Sequence, residues 1–142
     1  MNPSGSRELV AGLIAASPFH AALGIDLDEV SVEEQRVRIG LRYRDLHQRE
    51  PASGRHHGGV IAALVDVAGT FAAIATIGRN APTTSLSIDF LRPPTPSSDL
   101  IAVGQVRHAG RTVGRADVDV TDMAGRLVAI GRVRLAWSPA DA

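Results

Sequence analysis

The sequence predicts an α+β fold in which about six antiparallel strands curve around one long helix, with a short helix at the N-terminus. Three observations carry that expectation. The segment from Val60 to Ile77 is apolar almost throughout and too long for a strand, so it reads as a helix that other structure must bury. Six other runs alternate apolar and polar residues, the period of half-buried strands. The chain has 142 residues and no internal repeat, so residues 1–142 are expected to form a single domain with one core.

The elements follow in chain order. Ser6 is placed to cap a short helix over Arg7–Ala16, whose stripe is Leu9, Leu13, Ile14 and Ala16, with Pro18 after its end. Phe19–Leu23 reads as a further helical turn ending at Gly24. Ile25–Val30 and Val37–Arg44 alternate and predict the first two strands. Arg36, Arg38, Arg42 and Arg44 share one strand face, expected to be solvated. Asp45–Arg55 is polar, with Pro51, Ser53 and Gly54, and predicts a loop. His57-Gly58-Gly59 then leads into the long helix, with Gly78 suited to its C-terminal cap and Arg79 to the negative end of its dipole. Four strands are expected over Thr83–Leu91, Leu100–Arg107, Arg111–Asp122 and Leu127–Trp137. Pro93–Pro96, His108–Gly110 and Met123–Gly125 separate them, and the tail from Ser138 is expected to fray.

Composition narrows the function classes. Fifteen arginines balance 15 acidic residues and there is no lysine. Nothing in the charge therefore points to nucleic acid or a membrane surface, and a lysine nucleophile is excluded. The absence of cysteine excludes disulfides, thiolate catalysis and thiolate metal sites. The polar N-terminus has no signal-peptide core, and Asp66, Gly69 and two threonines interrupt the longest apolar run, so no membrane span is expected and a cytoplasmic protein is.

The chemistry concentrates at the start of the long helix. The first N–H groups of a helix have no internal partner and carry the positive end of its dipole, so they attract negative charge. Gly58 and Gly59 let another molecule approach that backbone closely, where a carbonyl would be polarised. Asp66, about two turns further on, is a carboxylate among Leu64, Val65, Val67 and Ala68. Such a group needs a partner or a cavity, so it is either a working acid or one bonded to nearby backbone or an arginine. His57 either acts or braces the loop. His47, His56 and His57 match no metal-ligand spacing, and no metal or other cofactor is expected. There is no Gly-x-Ser-x-Gly elbow and no phosphate-loop glycine pattern.

Several segments carry a resemblance. They are Ser17–His20 with Gly24-Ile25, His57–Asp66 (HGGVIAALVD), Thr84–Pro93 (TSLSIDFLRP) and Gly125–Ala129 (GRLVA). In this order they resemble the hotdog-fold acyl-CoA thioesterases of the phenylacetate-pathway (PaaI-like) branch, over nearly the whole chain. The resemblance implies a long helix wrapped by a curved antiparallel sheet. It also implies a homodimer or homotetramer with active sites shared between subunits. The Gly58 N–H would hold the thioester carbonyl, with His57 beside it, and Gly59 would border the substrate. The partner's Asp66 would activate water or attack directly, and Thr83 or Thr84 would supply a hydroxyl. Relatives often carry an amide side chain a few residues before the His-Gly-Gly. Here the matching position is Pro51 or, one residue earlier, Glu50, with His56 in a compensating position. The substrate's phosphates need cations, and Arg107, Arg111 and Arg115 cluster near one turn, with Arg92 elsewhere. The implied activity is hydrolysis of an acyl-CoA thioester. The other readings are a hotdog module that binds acyl-CoA without turnover, and an acyl-thioester dehydratase pairing His57 with Asp66.

Overall fold

A computed structural model describes residues 2–139. The elements are α1 (Pro3–Ala16), α2 (Pro18–Leu23), β1 (Ile25–Ser31), β2 (Arg36–Leu41), a 3-10 turn (Asp45–His47), α3 (Gly58–Ile77), β3 (Thr83–Phe90), β4 (Leu100–Ala109), β5 (Val113–Asp122) and β6 (Leu127–Ala136). The six strands form one antiparallel sheet in the order β1-β2-β4-β5-β6-β3. Alternation drives their burial: Val37, Ile39 and Leu41 of β2, Leu100 and Ala102 of β4, and Ala116, Val118 and Val120 of β5 all point inward. They pack on α3, which is buried from Val60 through Ala75 except at four half-buried positions. Helix wrapped by sheet is thus the arrangement found.

Close approach between helix and sheet depends on small residues. In the register Gly104 sits between Val37 and Val118, and any side chain there would overlap the Ala68 carbonyl of α3. Gly69 faces Val133 and Val118 in the same way, so the backbone of α3 rests almost directly on β4, β5 and β6.

Several expectations need correction. Asn2, not Ser6, caps α1, accepting from the Gly5 N–H at 2.7 Å. Ser6 is fully buried inside α1 and donates to the Ala75 carbonyl at 3.1 Å, docking α1 on α3. β2 ends at Leu41, so Arg44 leaves the solvated face. Its guanidinium instead donates to the Ala21 and Ala22 carbonyls at the end of α2. β4 runs through His108 to Ala109, because a bulge after Val106 lets pairing continue against Gly114 and Arg115. By length and composition α3 would suffice to cross a membrane despite its interruptions, but 67% of its most apolar 18-residue window is buried inside the protein. Of the tail from Ser138, positions 140–142 lie outside the described residues.

The two sheet edges differ. β1 carries Asp26, Asp28 and Glu29, a bulge between Leu27 and Glu29, and ion pairs to Arg36, Arg38 and Arg42 of the chain beside it. β3 is exposed along most of its length, with Leu86 and Phe90 bare to solvent and Leu91 beyond its end.

Candidate active site

The start of α3 is built by three histidines. His57 is the N-cap, and its Nδ1 accepts from the Gly59 N–H at 2.8 Å. Its own N–H donates to the His47 carbonyl at 2.7 Å, and its carbonyl accepts from Val60. That leaves the Gly58 N–H with no partner among the described residues, so one backbone donor is free at the positive end of a 20-residue helix. The bracing role of His57 is therefore present in the fold. Gly59 is consumed by the cap, and a Cβ there would come within 2.9 Å of His57 Nδ1.

His47 anchors this corner. It is fully buried; its Nε2 donates to the Leu23 carbonyl at 2.7 Å and its Nδ1 accepts from the Arg44 N–H at 3.1 Å. Burial holds its imidazole below the ordinary value; the Leu23 carbonyl opposes that, while His56 and Arg44 add to it. His56 is also buried, its Nε2 donating to the Ser98 carbonyl at 2.7 Å and its Nδ1 unpartnered. Tyr43 packs edge-on against both rings. Among the described residues no group of three His, Asp or Glu is arranged to hold a metal.

A cavity of about 740 Å³ opens at this corner, lined by Gly58, Ile61 and His56, by Phe90–Pro94 and Pro96, and by Arg49 and Arg55. Its proline wall is pinned by Asp122, which is almost fully buried. Asp122 accepts from the N–H and hydroxyl of Thr95, the N–H groups of Ala124 and Arg126, and the Arg126 guanidinium. Burial alone would raise its carboxyl, but these donors outweigh it and hold the group far below the usual carboxylate range.

Asp66 is half-buried and lines a different, smaller cavity of about 290 Å³ with Leu13, His20, Thr70, Phe71 and Thr83. Thr83 donates to its Oδ1 at 2.7 Å and Thr70 lies 3.2 Å from the same oxygen, the two hydroxyls being 2.8 Å apart. Oδ2 has no hydrogen-bond partner among the described residues. The carboxylate is thus held by one oxygen and open at the other.

Within one chain the predicted site falls into two halves. Gly58, Gly59, His57 and His56 gather at the helix start; Asp66 and Thr83 gather eight residues along it, about 12 Å further. Thr83, not Thr84, faces Asp66, since Thr84 donates to the Arg134 carbonyl on the other side of β3. The Glu50 side chain is exposed and its carbonyl closes a turn with Ser53. The one amide in the loop, Gln48, holds the loop itself through Gly54 and Asp45. Arg107 pairs with Asp117, and Arg111 lies at the β4–β5 turn; neither lines the cavity at Gly58, whereas Arg92 does. Thr70, Asp122, Arg49 and Arg55 went unread in the sequence, and His47 entered it only in the rejected metal reading. Thr70 had a signal, being four residues after Asp66 on the same helix face. Asp122 had one too, as an Asp opening a tight hairpin turn.

Comparison with known proteins supplies the family. Residues 53–129 match the thioesterase superfamily model. The acyl-coenzyme A thioesterase PaaI of Escherichia coli is 36% identical over 111 residues, 78% of this chain and 76% of that one. Human acyl-coenzyme A thioesterase 13 is 32% identical over 89% of each chain. A crystal structure from the thioesterase superfamily superposes with a TM-score of 0.85 at 36% identity, covering 93% of this chain and 98% of the other. The E. coli PaaI structure gives 0.84 over 99% of this chain and 96% of its own, at 24% identity, and speaks for the fold alone.

Proposed function

This chain belongs to the thioesterase superfamily, in its PaaI-like branch and with the hotdog fold, and is a thioester hydrolase; we propose that it cleaves an acyl-CoA to a free acid and CoA.

The observation that carries the mechanism is the separation of the two half-sites along one helix. Gly58 and Asp66 cannot serve the same carbonyl within one chain, so a second copy must complete each site. β3 supports the way this happens. It runs from Thr83, beside Asp66, to Phe90, whose ring lies 3.5 Å from where a Gly58 Cβ would stand. It is also the bare edge of the sheet. Two β3 strands paired antiparallel about a two-fold axis set the Thr83 end of one chain against the Phe90 end of the other. Asp66 of one copy then meets Gly58 of its partner, twice per dimer.

In that arrangement the Gly58 N–H polarises the thioester carbonyl and stabilises the oxyanion formed on attack. Asp66, fixed through Oδ1 by Thr83 and Thr70, presents Oδ2 to a water as general base, or attacks the carbonyl carbon itself. The tetrahedral intermediate collapses with loss of the CoA thiolate, which takes up a proton; on the direct route water then hydrolyses the acyl-aspartyl anhydride, releasing the acid and restoring Asp66. Asp66→Asn keeps the Thr83 and Thr70 contacts but loses the base. Thiol release from an acyl-CoA panel is expected to fall at least about 100-fold, at unchanged circular dichroism. Turnover near wild type in that variant would refute the assignment.

One observation favours a second reading. The loop before His57 presents no free amide toward Gly58, as Glu50 faces solvent and Gln48 is spent on the loop. A protein that binds acyl-CoA tightly without releasing thiol from any member of the panel would be the binding module this suggests.

A further inference from the structure

We propose that His47 is a positioning residue for the Gly58 donor, and that a proton added to its imidazole releases the start of α3 and switches thioester cleavage off in mild acid. The switching of cleavage rests on the hydrolase reading above; the placing of Gly58 does not.

The His47 side chain is fully buried and fits its surroundings only as a neutral imidazole. Its Nε2 donates to the Leu23 carbonyl at 2.7 Å, so Nδ1 carries the lone pair, and that lone pair accepts from the Arg44 N–H at 3.1 Å. The second bond closes a capping box over the turn Asp45–His47. A proton on Nδ1 sets one N–H against another at Arg44 and buries a charge that nothing balances. Facing the ring are Leu23 at the end of α2, Tyr43 after β2, Arg44 of its own turn and His56 of the loop, and none carries a carboxylate. Arg49 and Arg55, on the same loop, add cations. Asp45, Glu50 and Asp99 are all exposed; Asp99 is spent on the Tyr43 N–H at 2.7 Å, and Glu50 contacts Arg49.

The turn holds α3 through one backbone bond. The His47 carbonyl accepts from the His57 N–H at 2.7 Å, and His57 is the cap immediately before Gly58. The residues between are locked to one another. Gln48 bridges to His56, the Arg49 N–H donates to the Arg55 carbonyl at 2.9 Å, and the Gly54 N–H donates to Gln48 Oε1 at 2.9 Å. A shift of His47 therefore passes to His57 instead of being absorbed by the loop. From Val60 onward α3 is packed into the sheet and keeps its place. What loosens is the first helical residue, whose N–H meets the carbonyl, and a misplacement of about 1 Å there costs on the order of 100-fold in rate. Burial keeps the folded imidazole below its ordinary value of 6.5. The donor is thus in place at neutral pH and is lost as pH falls through that lowered value.

NMR of the intact protein from about pH 7.5 to about pH 5 reads this coupling without turnover. The backbone N–H signals of His57 and Gly58 are expected to move with one midpoint below 6.5, shared by the His47 ring. Signals that stay still, that follow the ring of His56 or His57, or that move together with the core of α3 overturn the proposal. In His47→Gln the movement should vanish, because glutamine at this place in a capping box accepts the same N–H and is neutral at every pH. On the acyl-CoA that wild type hydrolyses fastest, wild-type kcat should fall at least about tenfold further than that of His47→Gln over the same range. Asp66 is common to both proteins, so the difference isolates His47, and parallel falls overturn the proposal. At neutral pH His47→Leu should lose about tenfold or more in kcat with KM within about twofold, a loss that His47→Gln does not show. A folded leucine variant at the wild-type rate removes the positioning role, and if that variant does not fold, wild type against His47→Gln still decides. If the wild-type signals move as expected but no thiol is released, the hydrolase reading fails while the placing of Gly58 by His47 stands.

Discussion

Asp66 Oδ1 accepts from Thr83 and stands within reach of Thr70, and those two hydroxyls touch each other. With one proton apiece they form a short chain that ends on the carboxylate and orients its free oxygen. Thr83→Val and Thr70→Val each remove a hydrogen bond to or beside a charged group, so kcat should fall about tenfold at constant KM. Thr→Ser at either position should restore it, and a loss that serine does not rescue would mean the methyl rather than the hydroxyl matters. His47 and Asp122 make stability depend on pH in two steps. The folded pKa of His47 is lowered, so the unfolded chain binds the proton better and stability declines as pH falls below about 6.5. That of Asp122 is lowered too, so its contribution is complete above about pH 4 and is lost on further acidification. Urea midpoints measured from pH 8 to pH 3 should show both declines. His47→Gln should remove the first and Asp122→Asn the second, and a wild-type midpoint flat from pH 7 to pH 5 would contradict the His47 assignment.

At the scale of the element, the first residue of α3 offers a clean test of the oxyanion donor. Proline is tolerated at the first helical position, and His57 has φ −67° and ψ 136°, the backbone a residue before proline adopts. A Cβ at Gly58 meets only the Phe90 ring, at 3.5 Å. Gly58→Pro should therefore fold and yet lack the free N–H, costing about 3 kcal/mol of transition-state stabilisation, a loss of 100-fold or more in kcat. Activity retained in a folded Gly58→Pro protein would remove the helix donor from the mechanism. Elements of this kind were legible in the sequence where local pattern and tertiary need coincide. The β2, β4 and β5 alternation is the face they bury, and the apolar run after Gly59 is the helix they bury it against. Legibility failed where a distant partner decides. Ser6 has a good capping side chain, but Ala75 claims it. Arg44 continues the β2 period in sequence, but the carbonyls ending α2 draw it away. Asp66 stood out because a charge in an apolar helix is costly, whereas Arg49 and Arg55 sit in a polar loop where nothing local marks them as facing a cavity.

Across the whole molecule, the proposed division of each site between two copies predicts complementation. Asp66→Asn and Gly58→Pro each spoil both sites of their own homodimer. In a mixed dimer one site receives both spoiled halves and the other receives neither. Random mixing of equal amounts should restore about one quarter of wild-type activity from two inactive proteins. Sedimentation should give no active monomer. Failure of the mixture to recover turnover after co-refolding would show that each chain carries its own complete site.

The contrast between the two sheet edges bears on how far such assembly can go. β3 is bare, whereas β1 is bulged and ringed by carboxylates matched to its neighbour's arginines. In the proposed dimer each chain therefore has a valency of one along the sheet. Once two β3 edges have met, both free ends of the joined sheet are blunt, and strand addition terminates there instead of propagating into a fibre.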